Sequence, residues 1–134
     1  MKRLILFSVC LMVLTPSAFA RDLYVRSTDG SDADDGLTWA NAKATLAGAL
    51  AIDSISDTIW VSDNHAETQA SGMTLTLPTS PGERILCAND AAEPPTALAT
   101  SCTVTTTGGS NLGLQGFGYI YGITFSAGSG ASVA

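Results

Sequence analysis

The sequence predicts an all-β protein with one short helix near its amino-terminal end, made for export from a bacterial cell. Three observations predict it. Short segments with apolar side chains at every second position recur from Asp22 to Phe125, separated by Gly, Pro, Asp and Ser, which is the pattern of half-buried strands between turns. Apolar residues at helical spacing occur only around Leu46, so the strand-helix alternation of a doubly wound sheet is absent. The first residues have the layout of a secretory leader.

That leader spans residues 1–20. Lys2 and Arg3 give the positive start, Leu4 to Leu14 the apolar run, and Ala18-Phe19-Ala20 the small-x-small cleavage site, so the mature chain is expected to begin at Arg21. A secreted, periplasmic or cell-surface location follows. The apolar run falls short of the roughly 20 residues a bilayer requires, and no second run follows, so no membrane span is expected in the mature chain. Cys10 follows Phe7-Ser8-Val9 rather than the small residues of a lipid-attachment site. The formal charge is −6; cleavage removes two of the six bases and none of the twelve acids, which leaves −8. Such a balance argues against nucleic acid and anionic membrane surfaces as partners, since both need clustered Lys and Arg. Cys87 and Cys102 remain, and in an oxidising compartment the expectation is a disulfide worth on the order of 3 kcal/mol, with two buried thiols as the alternative.

In chain order, Asp22 to Ser27 reads as a strand with Leu23 and Val25 on one face and Tyr24 and Arg26 on the other. The following loop carries Asp29, Asp32, Asp34 and Asp35, a candidate calcium site because hard cations take carboxylate oxygens. Its spacing departs from the EF-hand pattern, with Ser31 and Ala33 where two further ligands would stand, and ordinary Asp-Gly turns also account for it. Trp39, Ala42, Leu46, Ala49 and Leu50 fall on one helical stripe, and Thr45 caps a helix from Leu46 to about Asp53, with Thr38 as an earlier start. So short a helix, with Gly48 inside it, must dock to persist.

Strands are then expected at Ile59 to Val61, Met73 to Leu77, Arg84 to Ala88 and Thr103 to Thr107. Polar turns separate them, at Asp63 to Glu67, Pro78 to Gly82 and Gly108-Gly109. Leu112 and Leu114 mark another strand, and Tyr119 to Phe125 reads as two very short ones bent at Gly122. The residues alone leave an antiparallel sandwich open as a rival.

The stretch from Tyr24 to Glu67 resembles the start of secreted right-handed parallel β-helix proteins of the pectate-lyase-like superfamily. Tyr24-Val25, the GSDADDG loop at 30–36, Thr45 to Leu50 and Asp57 to Val61 carry the resemblance. It implies an all-β solenoid, a right-handed parallel β-helix whose amino-terminal helix covers the first coil, with Leu46, Ala49 and Leu50 lying over Ile59 and Val61. On that reading residues 21–57 form the strand, loop and capping helix, and residues 58–134 the first coils of a longer protein. The open last coil is then a surface for self-association.

The superfamily is poor evidence of activity, since it contains lyases, hydrolases, adhesins and tail spikes. Its lyase site is not matched here: Arg84 is the one base within the coils, and beside Glu83 it reads as a surface ion pair. Asp63, His65 and Glu67 are the one mixed titratable cluster, set by alternation on one side, where they are candidate ligand-binding residues. Trp60, Tyr119 and Tyr121 are candidates for stacking on sugar rings. The reading is a structural, adhesive or carbohydrate-binding secreted protein, with polysaccharide or a cell-surface component as partner. The alternative is the amino-terminal part of an extracellular polysaccharide lyase or hydrolase with its active site beyond residue 134.

Overall fold

The computed structural model describes residues 19–77 and 82–134. Most of the expected leader, and all but Gly82 of the turn expected from Pro78 to Gly82, lie outside the described residues. The elements are β1 (Asp22–Val25), a 3-10 turn (Trp39–Asn41), helix α1 (Leu46–Leu50), β2 (Thr58–Ser62), β3 (Ala66–Gln69), β4 (Met73–Thr76), β5 (Arg84–Ala88), β6 (Cys102–Thr106), β7 (Leu112–Gln115), β8 (Tyr119–Tyr121) and β9 (Ile123–Ser126). The protein is thus mostly strand with a small helical part.

The strands form three sheets in the orders β1-β2-β5-β8, β3-β6-β9 and β4-β7, and every pair of named strands runs parallel. The chain visits the sheets in rotation, and each strand is laid against the one from the visit before. Among the described residues the sole antiparallel pairing is the isolated bridge of Ala88 to Leu98, which rules out the sandwich.

Parallel register is what builds the core. Leu23, Ile59, Ile85 and Ile120 stand opposite one another in the first sheet, as do Val25, Val61 and Cys87. Because alternate side chains share a face, these stacks all point inward. They meet Leu75 and Leu77 of the β4 segment, Val104 of β6 and Leu112 of β7 in one apolar cluster. The disulfide between Cys87 and Cys102 lies within that cluster and joins β5 to β6.

Helix α1 starts where expected: the Thr45 hydroxyl accepts from Gly48 N–H. Leu46 and Ala49 enter the main core and Leu50 packs at its margin, with α1 against β1 and β4. A side chain at Gly48 would strike the Asp32 carboxylate, which itself accepts from the N–H groups of Ala44 and Thr45.

The expected single stripe from Trp39 to Leu50 is corrected. Ala42 is extended, and Lys43 pairs with Val25 in a parallel bridge, so strand-like backbone interrupts the helical pattern. Trp39 and Ala42 instead pack on Tyr24, with Trp60 beside them, in a second small core on the outer side of the first sheet. Tyr24, on the face opposite Leu23 and Val25 as expected, is buried there. The helix also ends at Leu50 rather than near Asp53, where Ala51 and Ile52 N–H groups close it onto Ala47 and Ala49 carbonyls.

Two strand assignments change as well. The expected polar turn after Asp63 contains β3, held in register with β6. Strand β6 begins one residue early, at Cys102, which points Cys102, Val104 and Thr106 inward. The corner between the first and second sheets is made by residues 63–65, then by 89–101, then by Gly122 alone. Gly122 has φ +75°, and a side chain there would strike the Ala99 carbonyl and Cys87 Cβ, so only glycine makes so tight a corner.

Since α1 is held by its buried face rather than by intrinsic helicity, Leu46→Ala is expected to lower stability by about 2–5 kcal/mol. Urea unfolding followed by circular dichroism would measure it; a loss under about 0.5 kcal/mol, typical of a surface site, would mean that the helix does not seal the core.

Candidate functional site

Two constellations of side chains are built by the first sheet, one on each face. On the outer face the in-register ladder runs Tyr24, Trp60, Leu86, Tyr121, and the parallel ladder beside it runs Asp22, Thr58, Arg84, Tyr119. Tyr24 is covered at one end: it meets Trp39 edge to face at 4.8 Å, and Trp39 donates from its ring N–H to the Ala92 carbonyl and from its backbone N–H to Glu93. Burial, with the charges of Asp22 and Glu93 nearby, pushes the Tyr24 phenol up to about 12. Trp60 is half-buried and fixed by a 2.9 Å bond from its ring N–H to Asp22 Oδ1. Beyond it, Trp60 and Leu86 form a groove of about 300 Å³ with Pro95, Thr96, Ala97 and Leu98. The far end is open, with Tyr121 37% and Tyr119 59% exposed. The structure therefore gathers the three expected aromatic candidates, Trp60, Tyr119 and Tyr121, on one surface.

On the inner face, one position before the aliphatic stacks, the side chains are charged. Arg21, Asp57 and Glu83 occupy successive inward positions, tied by Thr58 N–H to the Arg21 carbonyl and Arg84 N–H to the Asp57 carbonyl. Asp57 is fully buried and accepts from Arg21 backbone N (2.7 Å), Arg21 Nε and Nη2, and Ser54 N–H. Glu83 is 1% exposed, and neither its carboxylate oxygens nor Asp53 Oδ2 receive a hydrogen bond from any N–H or hydroxyl group, which leaves the two acids to share a proton. Burial, then repulsion from Asp53 and a proton shared with it, pushes Glu83 up to about 8. Burial raises Asp53 as well. The expected surface pair of Glu83 with Arg84 is thus corrected: adjacent residues of a strand point to opposite faces, so Arg84 is in solvent and Glu83 is enclosed. Counting two residues back from Leu23, Ile59 and Ile85 would have found this stack.

The cluster expected at Asp63, His65 and Glu67 divides. His65 and Glu67 are buried and their side chains approach to 3.4 Å, while Asp63 lies apart in the corner, its carbonyl accepting from Ser101. Glu67 is used by the fold. Its Oε2 accepts from Leu46 N–H at 2.9 Å, at the start of α1, and its Oε1 from Gln69 at 3.0 Å. Burial pushes this carboxyl up, but the nearby His65 ring and the bonds from Leu46 and Gln69 outweigh it and hold Glu67 below the ordinary range.

Of the four candidate calcium ligands, Asp29, Asp32 and Asp35 have their carboxylates engaged one by one, and Asp34 is held through its backbone. Asp29 pairs with Arg26, Asp32 holds Ala44 and Thr45, and Asp35 accepts from Leu37 N–H. Asp34 donates its backbone N–H to the Ser31 carbonyl. Among the described residues no group of three or more His, Cys, Asp or Glu is placed to hold a metal ion, and no helix is long and apolar enough to cross a membrane. Compared with family models, curated proteins and solved structures, the chain matches none.

The two buried acids should titrate stability in opposite directions. Glu67 lies below its unfolded value of about 4.3, so its contribution is complete above that pH and is lost as pH falls through the folded value. Glu67→Gln should cost about 1–3 kcal/mol at pH 7 and flatten the acid limb of stability against pH. With the Arg21 nitrogen in a peptide bond, folded Glu83 keeps a proton that the unfolded chain releases. Stability then declines as pH rises from about 4.3 to about 8, and Glu83→Gln should remove that decline. Urea midpoints between pH 3 and 9 would check both.

Proposed function

We propose that this chain is a secreted right-handed parallel β-helix protein, similar to the pectate-lyase-like superfamily, whose outer first-sheet face binds extended polysaccharide. The β-helix reading is supported by the rotation of the chain through three parallel sheets, by the inward stacks and by the helix over β1 and β4. Right-handedness follows from the strong preference of parallel crossovers for that hand. Export is supported by the leader pattern and by the Cys87 to Cys102 bond, which persists in oxidising compartments.

The observation that carries the binding reading is the register of Trp60, Leu86 and Tyr121 on three neighbouring strands. Parallel strands stand about 4.8 Å apart, so Trp60 and Tyr121 are spaced as alternate rings of an extended glycan are. Flat apolar faces of sugar rings stack on such side chains. Arg84 and Asp22, on the adjacent ladder, supply donors and acceptors for hydroxyl or carboxylate groups, and Arg84 favours an acidic chain. The role is adhesive or structural, with the ladder as the contact surface.

The test is affinity electrophoresis and tryptophan fluorescence against pectic, uronate and neutral β-linked polysaccharides. At least one should retard the protein and perturb Trp60 emission. Trp60→Ala and Tyr121→Ala should each weaken that binding about tenfold or more, as buried aromatic anchors do, without changing the urea midpoint by more than about 1 kcal/mol for the exposed Tyr121. Failure of every polysaccharide class to bind would overturn the reading.

A further inference from the structure

The charged inward stack lies at the bond where the leader is expected to be cut. The Arg21 guanidinium pairs with Asp57, acts on Asp53 and spends a donor on the Ile52 carbonyl, while Glu83 is next to the two other acids. Two of the three acids keep oxygens that receive no bond from an N–H or hydroxyl group, and Glu83 is fully enclosed. A buried carboxylate without a donor is costly. Ionising all three acids would place more negative charge here than the Arg21 guanidinium balances, and the uncut chain avoids it by leaving a proton shared between Asp53 and Glu83.

The nitrogen that the cut would change is already seated among these acids. Arg21 N donates to Asp57 Oδ1 at 2.7 Å, and Arg21 shares an open hollow with Asp53, Ser54, Ile52 and Phe19. In a peptide bond that nitrogen is a neutral group with one proton. After hydrolysis of the Ala20–Arg21 bond by water, Ala20 leaves as a carboxylate and Arg21 N becomes an ammonium with three protons and a positive charge. We propose that the new Arg21 α-ammonium pairs with Asp57 and adds positive charge beside the neighbouring Asp53 and Glu83, so that removal of the leader itself locks the start of the fold.

Among the described residues, the elements packed around this nitrogen supply no cation besides the Arg21 guanidinium. The turn before β2 brings Asp53 and Asp57, the residue before β5 brings Glu83, and the position before β8 is Gly118. Arg84 points out of the opposite face. An ammonium bound to Asp57 gains a charge-assisted bond in place of a neutral one, and its field lets Asp53 and Glu83 ionise at lower pH. An α-amine beside acids has its folded value raised above about 8. Its contribution is thus complete below the unfolded value and is lost as pH rises through the folded one. The mature chain should therefore escape the decline in stability between mildly acidic and neutral pH that the uncut chain suffers.

This inference rests on the export reading, and the experiment separates the two. The full chain is expressed with its leader in an exporting bacterium, and the exported protein is analysed by intact mass and amino-terminal sequencing. A start at Arg21 is expected; failure to export overturns the export reading, and any other start of the exported protein overturns this proposal alone. A second gene carries one additional alanine between Ala20 and Arg21. Cleavage after Ala20 remains favoured there, because a cut one residue later would put Phe19 at the small-residue position, and mass verifies the product. This extended chain keeps the peptide nitrogen at Arg21, as in the structure described, and so should fold. At pH 7 its unfolding equilibrium constant should be about tenfold larger than that of the chain starting at Arg21, the size of effect expected of one partly buried charge-assisted bond. The gap should close at pH values well above 8 and shrink when Glu83→Gln is placed in both chains. Equal stability of the two chains from pH 5 to 8, with the Arg21 start established, would overturn the proposal and leave export standing.

Discussion

Register between parallel strands is the constraint on which the rest of the structure depends. Once Leu23, Ile59 and Ile85 are opposite one another, every other side chain of those strands has its face assigned, because a slip of one residue would exchange the two faces. The inward set then becomes a continuous apolar column, and the outward set becomes the ladder from Tyr24 to Tyr121. The core and the proposed binding surface are two consequences of the same hydrogen bonds.

The same register explains the cost the fold carries at its margins. Inward positions beyond the aliphatic column are still inward, so Asp57 and Glu83 are enclosed there, while Arg21 at the end of the stack stays partly in solvent. Glu67 occupies an inward position of β3 and is satisfied by the first turn of α1. That bond ties helix to sheet: a strand supplies the acceptor that the helix start lacks, while the helix supplies the donor that makes an enclosed carboxylate tolerable. Both acids are buried, yet they are pushed opposite ways, Glu67 by donors around it and Glu83 by the acids and apolar groups around it.

Much of this was legible in the residues. The alternation in RILCA and MTLTL located β5 and β4, Thr45 capped the helix, and Gly122 bent the last two strands. The disulfide of Cys87 with Cys102, favoured over two buried thiols on the expectation of export, is present, and Trp60, Tyr119 and Tyr121, marked as candidates for stacking, share a face. What was misread has physical reasons. Strand β3 is polar in sequence because its inward residue is Glu67, whose burial depends on a distant N–H group. Trp39 looked like part of the helix because the spacing fits, but the bridge of Lys43 to Val25 extends the backbone between them. Glu83 looked like a surface acid because its neighbours along the chain are polar.

By itself the sequence determined the parity of β1, β2 and β4, the place of the helix cap, the glycine corner at Gly122 and the presence of Cys87 and Cys102. These depend on a residue and its near neighbours, through the two-residue pleat, the cap hydroxyl and the freedom of a residue without a side chain. Only the tertiary structure decided which strands are adjacent, that they run parallel, and which acids are enclosed. Adjacency is written in backbone hydrogen bonds between segments joined by corners as unequal as residues 89–101 and Gly122, so no fixed repeat announces it. The protonation of a carboxylate, likewise, is set by what is packed against it from elsewhere in the chain.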